Sequence, residues 1–506
     1  MAKTFSAAGI ALAMITLIAG NSLGDVNSVP PPHPVILPPP VIRQFRGEWI
    51  ATVANSDWPS KPGLPVAQQK QELLNILNTA QKDYLNTIVL QVRPASDALY
   101  ASTFEPWSYF LTGKQGEPPI PFYDPLEFAI HEAHKRGLAL QAWFNPFRAY
   151  FPGEKGGPAS NSVIEEHPDW IVHYGNQTWL NPGLPAVQKY VLKVMLDVVK
   201  RYNLDGIQID DYFYPYPIEE RSGYLHFDDD AAYHRYLHLG GKLDLGDWRR
   251  ENINHFIHDL YDEVKAVKPY VLVGISPFGI WRPGHPSTIK GYDAYSRIYC
   301  DSRLWLHRGW LDYLAPQLYW KISQPAQSFP VLLNWWLKQN LKNRHIWPGL
   351  FSDLVTGSGH RGPWPSQEIT DQIAITQTFH DARGACLFSS SSLEQSRNLS
   401  DALRKLYSGP ALPPSSPWLG AIAPKMPILM VGKTLAGSET AVWKSEALSL
   451  PPRFWVEQVL TPSGWQTSIL PDDCTSTELP PLVSEVAISA IGASGLQSPP
   501  AIFTNH

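Results

Sequence analysis

From Arg46 to Tyr407 the chain repeats one pattern eight times: a short apolar-rich run, then a stretch of helical length. The runs are 46–53, 86–92, 137–144, 204–210, 270–276, 311–320, 344–350 and 383–389. The clearest helical stretches carry their own punctuation. DPLEFAIHEAHKRG (124–137) opens with Asp and Pro and stops at Gly, and DWRRENINHFIHDLYDEVKAVKP (247–269) stops at Pro269. Residues 65–84 and 184–202 space their apolar side chains by three and four. The crossovers at 291–309, 325–342, 366–381 and 393–407 are weaker. Short strands joined through helices pair in parallel through right-handed crossovers. Eight such units predict an α/β fold, a (β/α)8 barrel over residues 43–407. A doubly wound open sheet would want a glycine-rich first turn, and this first turn reads ATVANSDWPSKPG.

The flanks differ in character. MAKTFSAAGIALAMITLIAGNSLGD sets one lysine before an apolar stretch of about 15 residues, shorter than the ~20 a membrane span needs. It predicts a signal peptide over 1–24, with an uncleaved anchor as the alternative, and hence export to the periplasm, the envelope or outside. A Pro-rich spacer (25–42) follows, and no other segment is long and apolar enough to span a membrane. After Tyr407, SGPALPPSSP (408–417) reads as a linker. Residues 418–506 show short alternating runs such as PRFWVEQVL (452–460), so a small all-β sandwich is expected there. The ending VAISAIGASGLQSPPA resembles the last hairpin of fibronectin type III-like domains.

Charge and composition narrow the function. The net charge is −5 and no basic patch stands out, so nucleic acid is not an expected partner. Cys300, Cys386 and Cys474 are far apart and form no CxxC pair, so neither a disulfide framework nor a zinc site follows. There is no G-x-S-x-G elbow, no H-E-x-x-H and no phosphate loop. His131 and His134 fall on a helix as surface residues, and HFDDDAAYH (226–234) lacks diagnostic ligand spacing; no metal or cofactor is expected. Aromatics make up 12% of the chain, including 19 Trp, which fits core packing, flat platforms under sugar rings, or both.

In a barrel of this kind function sits at the C-terminal ends of the strands. The fourth strand ends in GIQIDDYFYPYP (206–217), with Asp210 and Asp211 adjacent. The plain alternative is a solvated strand end. Two like charges in one site do not both ionise easily, however, so one keeps its proton near neutral pH. Glycosidic cleavage needs such a proton donor, and a group that stabilises an oxocarbenium-like centre. The fifth and sixth strands end without a carboxylate, leaving Glu48, Asp97 or loop acids such as Asp353 for a two-carboxylate layout. An adjacent pair at the end of strand 4, with Tyr319 on strand 6, resembles the arrangement of several N-acetylhexosaminidase families, and that resemblance implies substrate assistance. There the 2-acetamido group of the sugar is the nucleophile, one acid orients it and the other protonates the leaving oxygen. The expected catalytic residues are Asp210, Asp211, Glu48 and Tyr319; the expected substrate contacts are Arg93, Trp143, Asn145, Tyr212, Tyr214, Trp281, Gln317 and Trp320. Two of these stay open: Glu48 is catalytic, a partner of Arg93 or structural, and Arg93 is a buried partner of Glu48 or Asp97 or a substrate clamp.

DGIQIDDY partly resembles the strand-4 motif of family 18 chitinases, with Tyr212 in place of the final glutamate and Gln208 in place of an acid. Longer blocks resemble another family: FRGEWIATVANSDWPSKPG, LQVRPASDALY, EPWSYFLTG, DPLEFAIHEAHKRGLALQAWFNPFRA, GIQIDDYFYPYP, GISPFGIWRPG, APQLYW and SFPVLLNWW. In that order, over roughly 43–405, they are similar to glycosyl-hydrolase-like family 10. The resemblance implies a (β/α)8 barrel and an exported enzyme acting on envelope glycan strands, with peptidoglycan stripped of its stem peptides as the substrate. It also implies fibronectin-like modules at the C-terminus. Positions 210 and 211 match the family's strand-4 acid pair, and 317 and 319 its strand-6 block. The polysaccharide partner is thus an expectation, against two others: a non-catalytic glycan-binding barrel, and a hydrolase of another exopolysaccharide.

Overall fold

The computed structural model describes residues 36–221, 223–357, 363–434 and 437–505. The predicted signal peptide, and the spacer as far as residue 35, lie outside the described residues. The chain falls into two compact units, Ile42–Ala421 with Ala493–Gly495, and a second that includes Ile422–Gly492.

The first unit is the barrel. Its strands are β1 (Phe45–Ile50), β2 (Thr87–Arg93), β3 (Ala139–Phe144), β4 (Gly206–Ile209), β5 (Leu272–Ile275), β6 (Tyr313–Leu314), β7 (His345–Ile346), β8 (Gly349–Leu350) and β9 (Gly384–Leu387). All pair in parallel, in the order β7-β6-β5-β4-β3-β2-β1-β9-β8. β7 and β8 are the two halves of the predicted seventh strand, parted by Trp347 and Pro348, so the two ends of the sheet are one chain segment. Hydrogen bonds from Leu318 N to Gly349 O (3.1 Å) and Gly349 N to Pro316 O (2.9 Å) close the ring. The predicted sixth strand is shortened for the same reason: Pro316 and Pro348 have no N–H to give a ladder. Gln317 keeps isolated bridges to Phe278 and Gly349.

Helices return after the strands, among them α1 (Val66–Lys82), α2 (Pro125–His134), α3 (Pro185–Arg201), α4 (Leu245–Val267), α5 (Ser302–Arg308), α6 (Phe329–Lys338), α7 (Ser366–Gln377) and α8 (Arg397–Tyr407). Asp124 caps α2 by accepting from Glu127 N (3.0 Å), and Asp244 caps α4 by accepting from Asp247 N (2.8 Å). Inside the ring, Phe45, Trp49, Val89, Trp143, Tyr313, Trp347 and Cys386 form one cluster, while Ile50, Ile88, Leu90, Leu140 and Ile207 face the helices. Most tryptophans are buried, so packing accounts for most of the aromatic excess. Gln208 also lies inside, 2.9 Å from the Tyr313 hydroxyl.

The stretch read as a linker is a strap on the barrel floor. Gly409 O accepts from Arg46 Nη1 (2.7 Å), Leu412 O from Gln44 N (2.8 Å), and Trp418 Nε1 donates to Asp312 Oδ1 (2.8 Å). The second unit has a three-stranded antiparallel sheet (Ile428–Lys433, Glu439–Lys444, Ser476–Glu478) and a four-stranded one (Gly464–Pro471, Phe454–Thr461, Glu485–Ile491, Ala501–Thr504). Trp443 from one and Trp455 and Ile488 from the other share a core, which makes it a sandwich. The described end of the Pro-rich spacer is held there, with Ile36 N on Glu485 Oε1 (2.8 Å) and Gln458 Nε2 on Pro39 O (2.9 Å).

Candidate active site

Side chains alternate along a strand. A Cβ on Gly206 would meet the side chain of Gln141 inside the barrel, and Gln208 is inside, so Asp210 also points inward, at the C-terminal mouth. It is 4% exposed. Trp143 Nε1 donates to its Oδ2 (3.0 Å), Asn145 Nδ2 donates to the same oxygen, and Tyr212 N donates to Oδ1 (3.3 Å). Asn145 is itself fixed, because its Oδ1 accepts from Gln91 Nε2 (2.6 Å) and Arg148 Nη1 (3.0 Å). Gln91 in turn accepts from the backbone N–H groups of Thr52 and Val53, both at 2.8 Å. A relay of oriented amides thus runs from the end of β1 through β2 and β3 to Asp210.

Asp211 is 2% exposed and is held differently: the Tyr216 hydroxyl donates to its Oδ2, and Gln317 also hydrogen-bonds to it. Gln317 is anchored by Nε2 on Ser276 O (3.0 Å). Burial first, then the neighbouring Asp211, pushes Asp210 up to about 7, against the pull of Arg148 and the donors. Burial also raises Asp211, opposed by Tyr216 and Gln317. Neighbours this close titrate as a pair, and burial holds both above the usual carboxylate range.

Around the pair the mouth is lined by half-buried groups. Tyr212 lies under the Arg148 guanidinium (4.4 Å) and 5.7 Å from the Tyr216 ring. Tyr319 sits against Phe351 (4.9 Å) and feels both Asp211 and Asp353. Beside the pair opens a cleft of about 460 Å³, lined by Arg148, Tyr150, Asn176, Gln177, Tyr212 and Tyr216 among others, a size suited to a small ligand or sugar units. Across the mouth, Ser389 Oγ lies 2.6 Å from Asp57 and 3.1 Å from Asp353, and burial pushes Asp57 up to about 6.

Of the expected residues, the structure brings together Asp210, Asp211, Tyr212, Gln317 and Tyr319, with Trp143 and Asn145 behind them as buried supports of Asp210 rather than sugar contacts. The others are corrected. Glu48 faces outward: Phe45, Trp49 and Ala51 belong to the inner cluster, and the period of two turns Glu48 to the helix layer. There it is 1% exposed, its Oε1 lacks a hydrogen-bond partner, and burial raises it well above the carboxylate range. Arg93 pairs with neither Glu48 nor a substrate; it is sealed against Glu105 at 2.5 Å. Tyr214 (1% exposed) packs on Phe227 and Tyr299, away from the cleft. Trp281 donates to Asp301 (3.1 Å) and stacks on Trp335, and Trp320 packs edge-on to Phe278; both rings are buried and offer no platform. Sequence reading missed Arg148, Asn176 and Gln177. Only Arg148 left a signal, three residues past Asn145 in NPFRA.

The buried pair costs stability as well. Asp210 is raised in the folded state, so its contribution is full below about 4 and is lost as pH rises through about 7, a penalty of ~4 kcal/mol at most. Asp210→Asn is therefore expected to raise Tm above wild type at pH 8 and to lose that advantage at pH 4. A lower Tm at both values would show that the carboxylate stabilises this site.

The glycosyl hydrolase-like 10 family model matches residues 44–358. Glycosyl hydrolase YngK of Bacillus subtilis is 40% identical over 401 residues, covering 76% of this chain and 76% of that protein. Glycosyl hydrolase DigH of Escherichia coli K12 is 38% identical over 336 residues, covering 60% of this chain and 74% of that protein. Among solved structures, the PgaB (BpsB) glycoside hydrolase domain of Bordetella bronchiseptica aligns at TM-score 0.48 and 13% identity, covering 72% of this chain and 99% of that one.

Proposed function

The chain belongs to the glycosyl hydrolase-like 10 family and is a glycoside hydrolase, and we propose that it cuts N-acetylated glycan strands of the bacterial envelope by substrate-assisted, retaining catalysis. One observation carries this reading: two adjacent, buried, differently held carboxylates at the end of β4, with Tyr216, Gln317 and Tyr319 around them. Asp210 receives donors on both oxygens. It is a fixed acceptor, suited to orienting the N–H of a substrate acetamido group. Asp211 is held by side chains of the cleft itself and is suited to hand the pair's proton to the leaving oxygen. Tyr319, kept protonated by burial and Asp211, is suited to hydrogen-bond the acetamido oxygen as it attacks. The N-terminal stretch supports export, and the 3+4 sandwich supports a fibronectin type III-like spacer.

The test is release of reducing ends from peptidoglycan stripped of stem peptides, with a thiazoline analogue as inhibitor. Potent inhibition is expected. Turnover without inhibition would favour a protein nucleophile, and Asp353 is the first suspect because it is the other carboxylate that acts on Tyr319. Release from an unrelated exopolysaccharide alone would reassign the substrate. The pH dependence has a definite sign. The pair must keep one proton, so kcat/KM is expected to fall as pH rises through about 7, roughly tenfold per unit beyond it. A profile flat from weakly acid to alkaline pH would rule the pair out as the proton source.

A further inference from the structure

The loop after β4 divides two cavities. Tyr212 and Tyr216 line the cleft beside the acids, while Tyr214, Pro215 and Pro217 line a second cavity of about 200 Å³. This second cavity is on the same C-terminal face, between the loops that follow β4 and β5. Its walls include Tyr174, Tyr224, Phe227 and Tyr299, and two guanidinium groups reach it.

The two arginines differ. Arg249 is 5% exposed and tied down: it binds Asp229 through Nε (2.8 Å) and Nη2 (2.5 Å), Phe227 O (2.9 Å) and the Tyr299 hydroxyl (2.7 Å). Its charge is cancelled, and it builds the floor. Arg297 is exposed, its guanidinium 4.2 Å above the Tyr224 ring, and it has no ion pair among the described residues. His226, on the same wall, is taken up by Asp230 at 3.1 Å. An uncompensated guanidinium beside a half-exposed tyrosine ring thus marks the cavity's edge. Nearby, the Tyr292 ring is 5.3 Å from Tyr216, and Tyr292 feels both Asp211 and Arg297.

We propose that this cavity is a second glycan subsite that takes a carboxylate-bearing sugar, with Tyr224 under the ring and Arg297 on the carboxylate. A guanidinium fork matches a carboxylate in a way a neutral hydroxyl cannot exploit, and the volume holds about one sugar ring rather than a chain segment. The inference rests on the glycan reading above. It adds that one sugar in the bound stretch is recognised by its charge.

The test uses the full chain carrying Asp211→Asn, so that binding is read without turnover. The probes are an N-acetylated glycan oligomer bearing carboxylates and the same oligomer with its carboxylates reduced to alcohols, titrated calorimetrically. Adding Arg297→Ala is expected to weaken the acidic oligomer about 10- to 30-fold and to leave the reduced oligomer unchanged, with Arg297→Lys in between. An equal loss on both oligomers, no loss on either, or no binding of either to the Asp211→Asn protein would overturn the subsite. Catalysis is scored separately on the wild type. If it releases no reducing ends while the charge-dependent difference persists, the hydrolase mechanism fails and the subsite stands.

Discussion

Asp211→Asn is expected to lower kcat on unactivated glycan by about 10³-fold, within the range for loss of a general acid, with little change in KM. The asparagine keeps the size of the side chain and one acceptor oxygen for the Tyr216 hydroxyl, so the main loss is of the transferable proton. That gives a sharper check than the loss itself. A substrate whose leaving group departs without protonation, such as an aryl glycoside of a strongly acidic phenol, should recover most of the rate in Asp211→Asn. The same substrate should not rescue Asp210→Asn, because in the proposed mechanism that variant loses the fixed acceptor for the acetamido N–H. Rescue of Asp210→Asn instead would exchange the two roles. Rescue of both would mean that neither residue orients the nucleophile.

The difference between the two aspartates lies in what holds them. Asp210 is the last member of a relay of amides, and each is oriented by the one before: Thr52 and Val53 N–H groups fix Gln91, Gln91 and Arg148 fix Asn145, Asn145 fixes Asp210. Pre-set donors of this kind cost nothing to reorganise when charge shifts during reaction. Asp211 has a shorter support, the Tyr216 hydroxyl and Gln317, which is anchored in turn on Ser276 O.

Much of this is legible in the sequence. The strand–helix rhythm predicts the barrel because parallel strands need crossovers, and the acid pair stands at the end of the fourth run. The breaks in the sixth and seventh strands were also readable, at Pro316 and Pro348. Glu48 shows a signal present but unused: in FRGEWIA the alternation that buries Phe45, Trp49 and Ala51 inside the ring turns Glu48 outward. Trp143, Trp281 and Trp320 show what a sequence does not hold. A ring at a strand end is a platform or a wedge depending on the loop that covers it, and those loops come from elsewhere in the chain. Arg148 escaped for a related reason, since its position over Tyr212 joins the loops after β3 and β4.

Arg93→Ala is expected to cost about 3–5 kcal/mol of stability, the penalty for orphaning one partner of a buried ion pair. Arg93 and Glu105 are both sealed from solvent. The guanidinium donates through Nε to Glu105 Oε2 (2.8 Å), through Nη2 to Glu105 Oε1 (2.5 Å) and Ser96 Oγ (3.0 Å), and through Nη1 to Asn145 O (2.5 Å) and Pro146 O (3.1 Å). No N–H is left to reach a substrate. Denaturant unfolding should show the loss, and Arg93→Ala with Glu105→Ala together should be less unstable than Arg93→Ala alone, because the stranded carboxylate is then gone. Activity should fall as well, mainly in kcat, because Arg93 holds the backbone carbonyl of Asn145, and Asn145 holds Asp210. A substrate clamp would behave in the opposite way, with KM raised, kcat kept and stability untouched, and that result would return Arg93 to the binding surface.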